Sequence, residues 1–319
     1  MDRQAGNRRH RATSADSDRV LVCNPVSGSG DHAPAVRTRA IERGFEVRET
    51  DAAGDARRLT HKAAVEGASL VAIAGGDGTV NEAVYGLAEA DALETIDVAV
   101  IPTGTANLFA RRLGIDDIDR GFEVLDRGAT RRIDVGFADE RPFVNTCLAG
   151  ISAAANTATP GDLKRRLGPF AYVLTMLRLL PEYEGVPLTV VIDPESPTDK
   201  PPIEKWHGTA LLVLVGNAFR LPAIGDRPES AIADGLLEVT ILEERPPIEL
   251  LEAGILSGLF DDDSTPVARL ETPSLSIGGR NDDPVAFSLD GELVSATTLD
   301  IGIRKRALSV YGGPKTRQR

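Results

Sequence analysis

From Val20 onward the hydrophobic pattern of the chain alternates between short continuous apolar runs and longer amphipathic stretches. Val20-Leu21-Val22-Cys23, Glu46-Val47-Arg48-Glu49 and Leu70-Val71-Ala72-Ile73-Ala74 predict strands, with helices between or after them over 33–42, 55–66 and 80–90. Strands alternating with helices predict a parallel sheet covered on both faces, a three-layer α/β domain that binds ligand at the carboxyl ends of its strands. After Asp134 the pattern changes. Leu188–Ile192, Ala210–Val215, Leu236–Leu242 and Leu275–Ile277 are apolar runs separated by Pro, Gly and Asp turns, which predicts a mainly antiparallel β-sandwich. The expected organisation is a disordered basic tail over 1–18, an α/β domain over 19–134 and a sandwich over 135–303. The proline-rich segment Asp193–Lys205 reads as an exposed loop.

The run over 70–74 empties into Gly75-Gly76-Asp77-Gly78-Thr79-Val80-Asn81-Glu82. Glycines at such a turn let backbone N–H groups approach a polyanion, and the following helix adds the partial charge of its N-terminus. Asp77 alone would repel phosphate, so it implies a Mg²⁺ ion between the two. Glycine turns also arise for geometric reasons, so further features must tip the balance. Ile101-Pro102-Thr103-Gly104-Thr105-Ala106-Asn107 is a second Gly/Thr turn after an apolar run, and Phe287-Ser288-Leu289-Asp290-Gly291-Glu292 places two carboxylates on one tight turn. Asp-Gly by itself is an ordinary hairpin signal. The turns in this order are far more specific than any one of them.

On these motifs the chain resembles the soluble diacylglycerol-kinase-like lipid kinases, a family that includes sphingosine and ceramide kinases and is more distantly related to NAD kinases. The resemblance runs from about Val20 to about Val310 and implies ATP and Mg²⁺ as cofactors. It implies a nucleotide site drawn from Asn24, Pro25, Val26, Ser27 and Gly28, from Thr50 with Gly54-Asp55-Ala56 after it, and from Gly75, Gly76, Asp77, Gly78, Thr79, Val80 and Asn81. Gly104, Thr105 and Asn107 complete that site. It also implies that Glu292 takes the acceptor's hydroxyl proton, that Asp290 lies on the metal or the substrate, and that Asp77 binds or orients the metal. A strand at about 304–312 is implied to return to the first domain. Phe143-Val144-Asn145 and Gly168-Pro169-Phe170-Ala171-Tyr172 match further landmarks of the family.

Two positions depart from that pattern. Leu108 follows Asn107 where the family pattern carries Asp, so one carboxylate of the magnesium network is missing. Residues 231–236 resemble a structural magnesium loop with ligands at Ala231, Asp234 and Leu236, but Ala233 stands where a second polar residue is common.

Composition narrows the setting. The 319 residues suffice for two domains, and 42% hydrophobic with 26% charged residues is a globular balance. No run approaches the roughly 18 apolar residues of a membrane span, and the N-terminus has no apolar core of a secretory signal. The expected location is cytoplasmic, peripheral at the membrane when acting on a lipid alcohol, with a homodimer left open. A net charge of −12 argues against nucleic acid as partner. Only six of the 36 basic residues are lysine, a balance that resembles proteins adapted to concentrated salt, with a GC-rich genome as the alternative. Cys23 and Cys147 read as buried free thiols, and no histidine is assigned a role. The stripe Phe170, Val173, Leu174 and Leu177 reads as packing against the second domain, with a membrane-touching helix as the alternative.

The function expected is an ATP-dependent lipid kinase acting on a diradylglycerol or related alcohol. An NAD kinase is the second reading, because that family shares the Gly-Gly-Asp-Gly loop and an Asn-Glu pair like Asn81-Glu82. A catalytically silent nucleotide-binding regulator, suggested by Leu108, is the third.

Overall fold

The structure, a computed structural model, describes residues 18–150, 185–192, 205–217, 232–244 and 267–312. The expected tail apart from Asp18, the helix over 170–180 with its Gly168–Tyr172 landmark, the loop over 193–204, and Ala231 lie outside those residues. Asp18 is already tied in, its carbonyl accepting the N–H of Ser69 at 2.7 Å.

In chain order the first region runs β1 (Arg19–Cys23), α1 (Ala33–Glu42), β2 (Glu46–Glu49), α2 (Asp55–Val65), β3 (Leu70–Gly75), α3 (Asp77–Glu89), β4 (Asp97–Pro102), α4 (Leu108–Arg112) and α5 (Ile118–Arg127). The strands are parallel in the order β2-β1-β3-β4. Helices α1 and α5 bury Val36, Ala40, Phe122 and Leu125 against one face of the sheet. Helices α2, α3 and α4 cover the other face, which gives the three layers expected. Val80, Ala83, Val84 and Leu87 form the buried stripe of α3 at helical spacing. Helix α2 crosses it at Gly86, where any Cβ would overlap the Arg57 carbonyl. The helix opens at Asp77, three residues before the start that periodicity predicts, so Gly78 and Thr79 belong to its first turn.

The second region comprises β5 (Thr130–Ala138), β6 (Arg141–Phe143), β7 (Thr146–Gly150), β8 (Val186–Ile192), β9 (Lys205–Asn217), β10 (Leu237–Glu243), β11 (Val267–Thr272), β12 (Ser274–Gly279), β13 (Val285–Leu289), β14 (Glu292–Ala296) and β15 (Thr298–Tyr311). Lys205, expected to close the preceding loop, instead opens β9. Apart from the parallel pairing of β15 with β4, these strands pair antiparallel. Phe143, Trp206, Val213, Ile277 and Phe287 centre a separate core.

Two strands thread both regions. β15 pairs with β5 along most of its length and reaches β4 in parallel through Ser309 and Val310. Its return begins at Thr298, earlier than residue 304, and it passes a bulge between Arg304 and Leu308 with Arg306 at φ 52°. Buried Asp134, in the middle of β5, accepts the Arg306 N–H at 2.7 Å and the Gly235 N–H at 2.6 Å. The Gly235 bond is buried, where an unpaired backbone donor would cost about 1–3 kcal/mol, and the same carboxylate fixes the bulge.

Candidate active site

A cleft of about 540 Å³ opens at the carboxyl ends of β1, β2, β3 and β4. Of the residues expected to hold nucleotide, Asn24, Val26, Ser27, Gly28, Thr50, Gly76, Asp77, Gly78, Thr79, Gly104 and Thr105 line it. Pro25, Gly75, Val80, Asn81 and Asn107 do not. Asn107 shapes its own loop: at φ 49° its side chain accepts the Gly104 N–H at 3.0 Å and donates to the Gly104 carbonyl at 2.8 Å. A short polar side chain tolerates that left-handed backbone.

The floor of the cleft is bare backbone. A Cβ on Gly104 would lie 2.5 Å from the Gly76 Cα, and one on Gly28 would overlap the Thr103 carbonyl. Side chains are therefore excluded where N–H groups and the start of α3 face the cavity, a surface suited to phosphate. Asn24 bridges the loops by donating to Thr79 Oγ1 at 3.1 Å. Ser27 and Thr103 join hydroxyls at 2.6 Å.

Asp77 is buried and faces this cleft while holding the start of α4. Its two oxygens accept the N–H groups of Leu108 at 3.1 Å and Phe109 at 2.9 Å. Leu108, which stands where the family pattern carries a second carboxylate, meets Asp77 through its backbone N–H alone. Each Asp77 oxygen retains acceptor capacity, so the site fits a cation shared with the phosphates of a nucleotide, as Mg²⁺ is usually bound. Among the described residues no group of three or more His, Cys, Asp or Glu side chains assembles to hold a metal by itself. In the segment over 231–236, exposed Asp234 accepts the Leu236 N–H at 3.0 Å, and Gly235 packs against the Lys305 side chain.

Sequence reasoning missed other contributors. Glu82 lines the cleft and accepts the N–H groups of Gly54 at 3.0 Å and Ala56 at 3.2 Å, fixing the loop that carries Asp51, Ala52 and Ala53. His32, given no role from sequence, places Nε2 3.2 Å from the Asn24 carbonyl and 3.4 Å from Ser27 Oγ. Glu82 could have been found from its neighbour Asn81 in the helix-opening motif. For His32 nothing local marks the contact. Cys23 and Cys147 are buried free thiols as expected, and desolvation raises both above the ordinary thiol range, Cys23 to about 11.

The Asp-Gly-Glu turn does not line the cleft. Asp290 and Gly291 have φ of 47° and 99° and join β13 to β14, with Leu289 paired to Glu292, the left-handed pair that a two-residue hairpin requires. The Asp290 carboxylate is buried and turned toward the backbone at 144–146. It accepts three consecutive N–H groups, Val144 at 2.7 Å, Asn145 at 3.0 Å and Thr146 at 2.7 Å. This is the use of the Phe143-Val144-Asn145 landmark. Burial raises the Asp290 pKa to about 6 against those N–H groups and the nearby Arg112 charge. Glu292 is exposed, and its charge is felt by Arg57 on α2, which also pairs with Glu89.

Comparison with known proteins follows the same division. A diacylglycerol kinase catalytic domain matches residues 18–138, and a YegS C-terminal NAD kinase beta sandwich-like domain matches 145–312. The chain is 32% identical over 245 residues to a diacylglycerol kinase of Bacillus subtilis, covering 74% of this chain and 77% of that protein. A diacylglycerol kinase of Staphylococcus saprophyticus is 28% identical over 280 residues, 85% of this chain and 88% of that one. The crystal structure of a diacylglycerol kinase from Bacillus anthracis has the same fold, with a TM-score of 0.72 at 24% identity over 93% of this chain and 98% of that one. With both halves matched in order, the chain belongs to the diacylglycerol kinase family and is a kinase of the lipid-kinase type.

Proposed function

We propose that the protein transfers the γ-phosphoryl group of ATP to the hydroxyl of a diradylglycerol or a related lipid alcohol. The observation that carries this reading is the glycine-floored cleft with Asp77 at the start of a thirteen-residue helix. Backbone N–H groups of the two glycine turns hold the phosphates, and Asn24 and Thr50 border the nucleotide. Asp77 would hold Mg²⁺, which when bound neutralises charge on the phosphates. The acceptor oxygen attacks the γ-phosphorus, the bond from that phosphorus to the β,γ-bridging oxygen breaks, and ADP leaves. Glu292 takes the hydroxyl proton, a role worth about 10²–10⁴ in rate, while Asp290 holds the turn that presents it.

The lipid is inferred from the family and from relatives that are themselves diacylglycerol kinases. The second domain supplies the acceptor side, and the protein works at the membrane surface; no described helix is long and apolar enough to cross a membrane. Incubation with labelled ATP, Mg²⁺, mixed neutral lipids and NAD separates the readings. Label in lipid supports this one. Label in NADP supports an NAD kinase, and nucleotide binding without transfer supports a silent regulator.

A further inference from the structure

Arg112, the last residue of α4, ties the nucleotide side of the molecule to the Asp-Gly-Glu turn. One terminal nitrogen donates to the Asn217 carbonyl at the end of β9. The other donates to the Val144 carbonyl at 2.6 Å and to Asn145 Oδ1 at 3.1 Å. Its two terminal nitrogens are thus satisfied, whereas its Nε is sealed from solvent with no hydrogen-bond partner, although the side chain as a whole is only part-buried. Desolvation lowers its pKa to about 10, opposed by the charges of Asp290 and of Asp77. A single guanidinium therefore lies within electrostatic reach of both carboxylates.

These contacts form a continuous chain. Asp77 in the cleft holds the first N–H groups of α4, and Arg112 at its other end grips the backbone at 144–145 and 217. The N–H groups of 144–146 hold Asp290, which begins the turn that ends in Glu292. Taking a guanidinium out of water is unfavourable unless its geometry is well satisfied. What its planar fork provides here is a fixed spacing between two domains, which a flexible ammonium cannot reproduce.

We propose that Arg112 is a positioning residue for phosphoryl transfer: it sets where the Asp290-Gly291-Glu292 turn stands relative to nucleotide held at Asp77. This rests on the kinase reading above. Misplacing reacting groups by about 1 Å costs on the order of 100-fold in rate, and nucleotide binding is untouched by such a shift.

The test is Arg112→Lys, with Arg111→Lys, its exposed neighbour, as control. Arg112→Lys is expected to lower kcat about 100-fold while the KM for ATP stays within about threefold, and Arg111→Lys to match the wild type. In a Glu292→Gln background the further loss from Arg112→Lys should shrink to below about threefold, since both act on one step. Unchanged kcat, parallel loss of nucleotide affinity, or fully additive losses would overturn the proposal. Amide hydrogen exchange at Val144–Thr146 supplies a readout that does not need the lipid reaction, and Asn145→Ala provides a second variant should Arg112→Lys fail to fold. Faster exchange in either variant than in wild type is expected, and unchanged exchange counts against the positioning role. If the wild type phosphorylates no lipid yet exchange responds, the kinase reading fails and the coupling stands.

Discussion

Two buried carboxylates sit at the two turns of this molecule, and both accept backbone N–H groups, yet they face opposite ways. Asp77 takes two N–H groups from the start of α4 and keeps its open side toward the nucleotide cleft. Asp290 takes three from the segment over 144–146 and faces inward, so burial raises its pKa to about 6. A carboxylate in a motif is thus not one role. Where some acceptor capacity still meets solvent it can serve a metal, and where backbone fills it another carboxylate on the turn is left to take up the chemistry. On the second turn Glu292 is the carboxylate proposed to carry it.

The largest effect expected is that of Glu292→Gln, which should lower turnover by about 10²–10⁴ with little change in melting, because Glu292 is exposed. Turnover of lipid phosphate with thermal melting measured alongside checks both halves. Asp77→Asn should also cost activity, but Asp77→Ala should in addition destabilise the fold. It strands the N–H groups of Leu108 and Phe109, each worth about 1–3 kcal/mol when buried and unpaired. A variant that melts like wild type would show that those bonds do not anchor α4.

Gly104→Ala sharpens the first half of the comparison. Its Cβ meets the Gly76 Cα and Asn107 Oδ1 at 2.5 and 2.8 Å, so the floor must shift. ATP affinity is expected to fall at least about tenfold, around 1.4 kcal/mol, by titration calorimetry.

The second half is sharpened by pH. The folded-state pKa of Asp290 lies above the ordinary 3.8, so the folded protein holds this proton more tightly than the unfolded chain. The contribution is full below about pH 3.8 and is lost as pH rises through about 6, on the order of 2–3 kcal/mol in all. Melting followed from pH 4 to 7 in wild type and Asp290→Asn should show this component of the slope only in the wild type.

A smaller and more diffuse effect comes from charge. With 48 acidic against 36 basic residues, raising salt from 0.1 to 1 M shortens the screening length from about 10 to 3 Å and should raise the melting temperature. Surface pairs such as Arg43–Asp126 and Arg57–Glu89 weaken in the same range, but each is worth only about 0–1 kcal/mol. A flat response would favour base composition over salt adaptation as the reason for the arginine bias.

The first region was legible because its elements are short, amphipathic and bounded by glycines. The spans of α1 and β2 match the periodicity residue for residue. The start of α3 was missed because Asp77-Gly78-Thr79 looks like a turn, whereas Asp at the first helical position is favoured by the helix dipole. The second region was legible only as a class. β15 continues through the charged run Arg304-Lys305-Arg306, since the bulge at Arg306 is satisfied by Asp134, far away in sequence. Most of the cleft was legible because loops at strand ends carry it. Arg112 was not: Arg111 and Arg112 are identical in sequence, and only tertiary packing decides which one turns inward.

The division of labour between the two turns is tested most directly by equilibrium binding of Mg·ATP to wild type, Asp77→Asn and Glu292→Gln, with lipid phosphorylation measured on the same samples. Asp77→Asn should lose at least about tenfold in affinity, around 1.4 kcal/mol, whereas Glu292→Gln should bind like wild type and fail to phosphorylate lipid. Loss of nucleotide affinity in Glu292→Gln, with turnover retained at saturating ATP, would contradict the assignment of nucleotide to the first domain's turn and proton transfer to the second's.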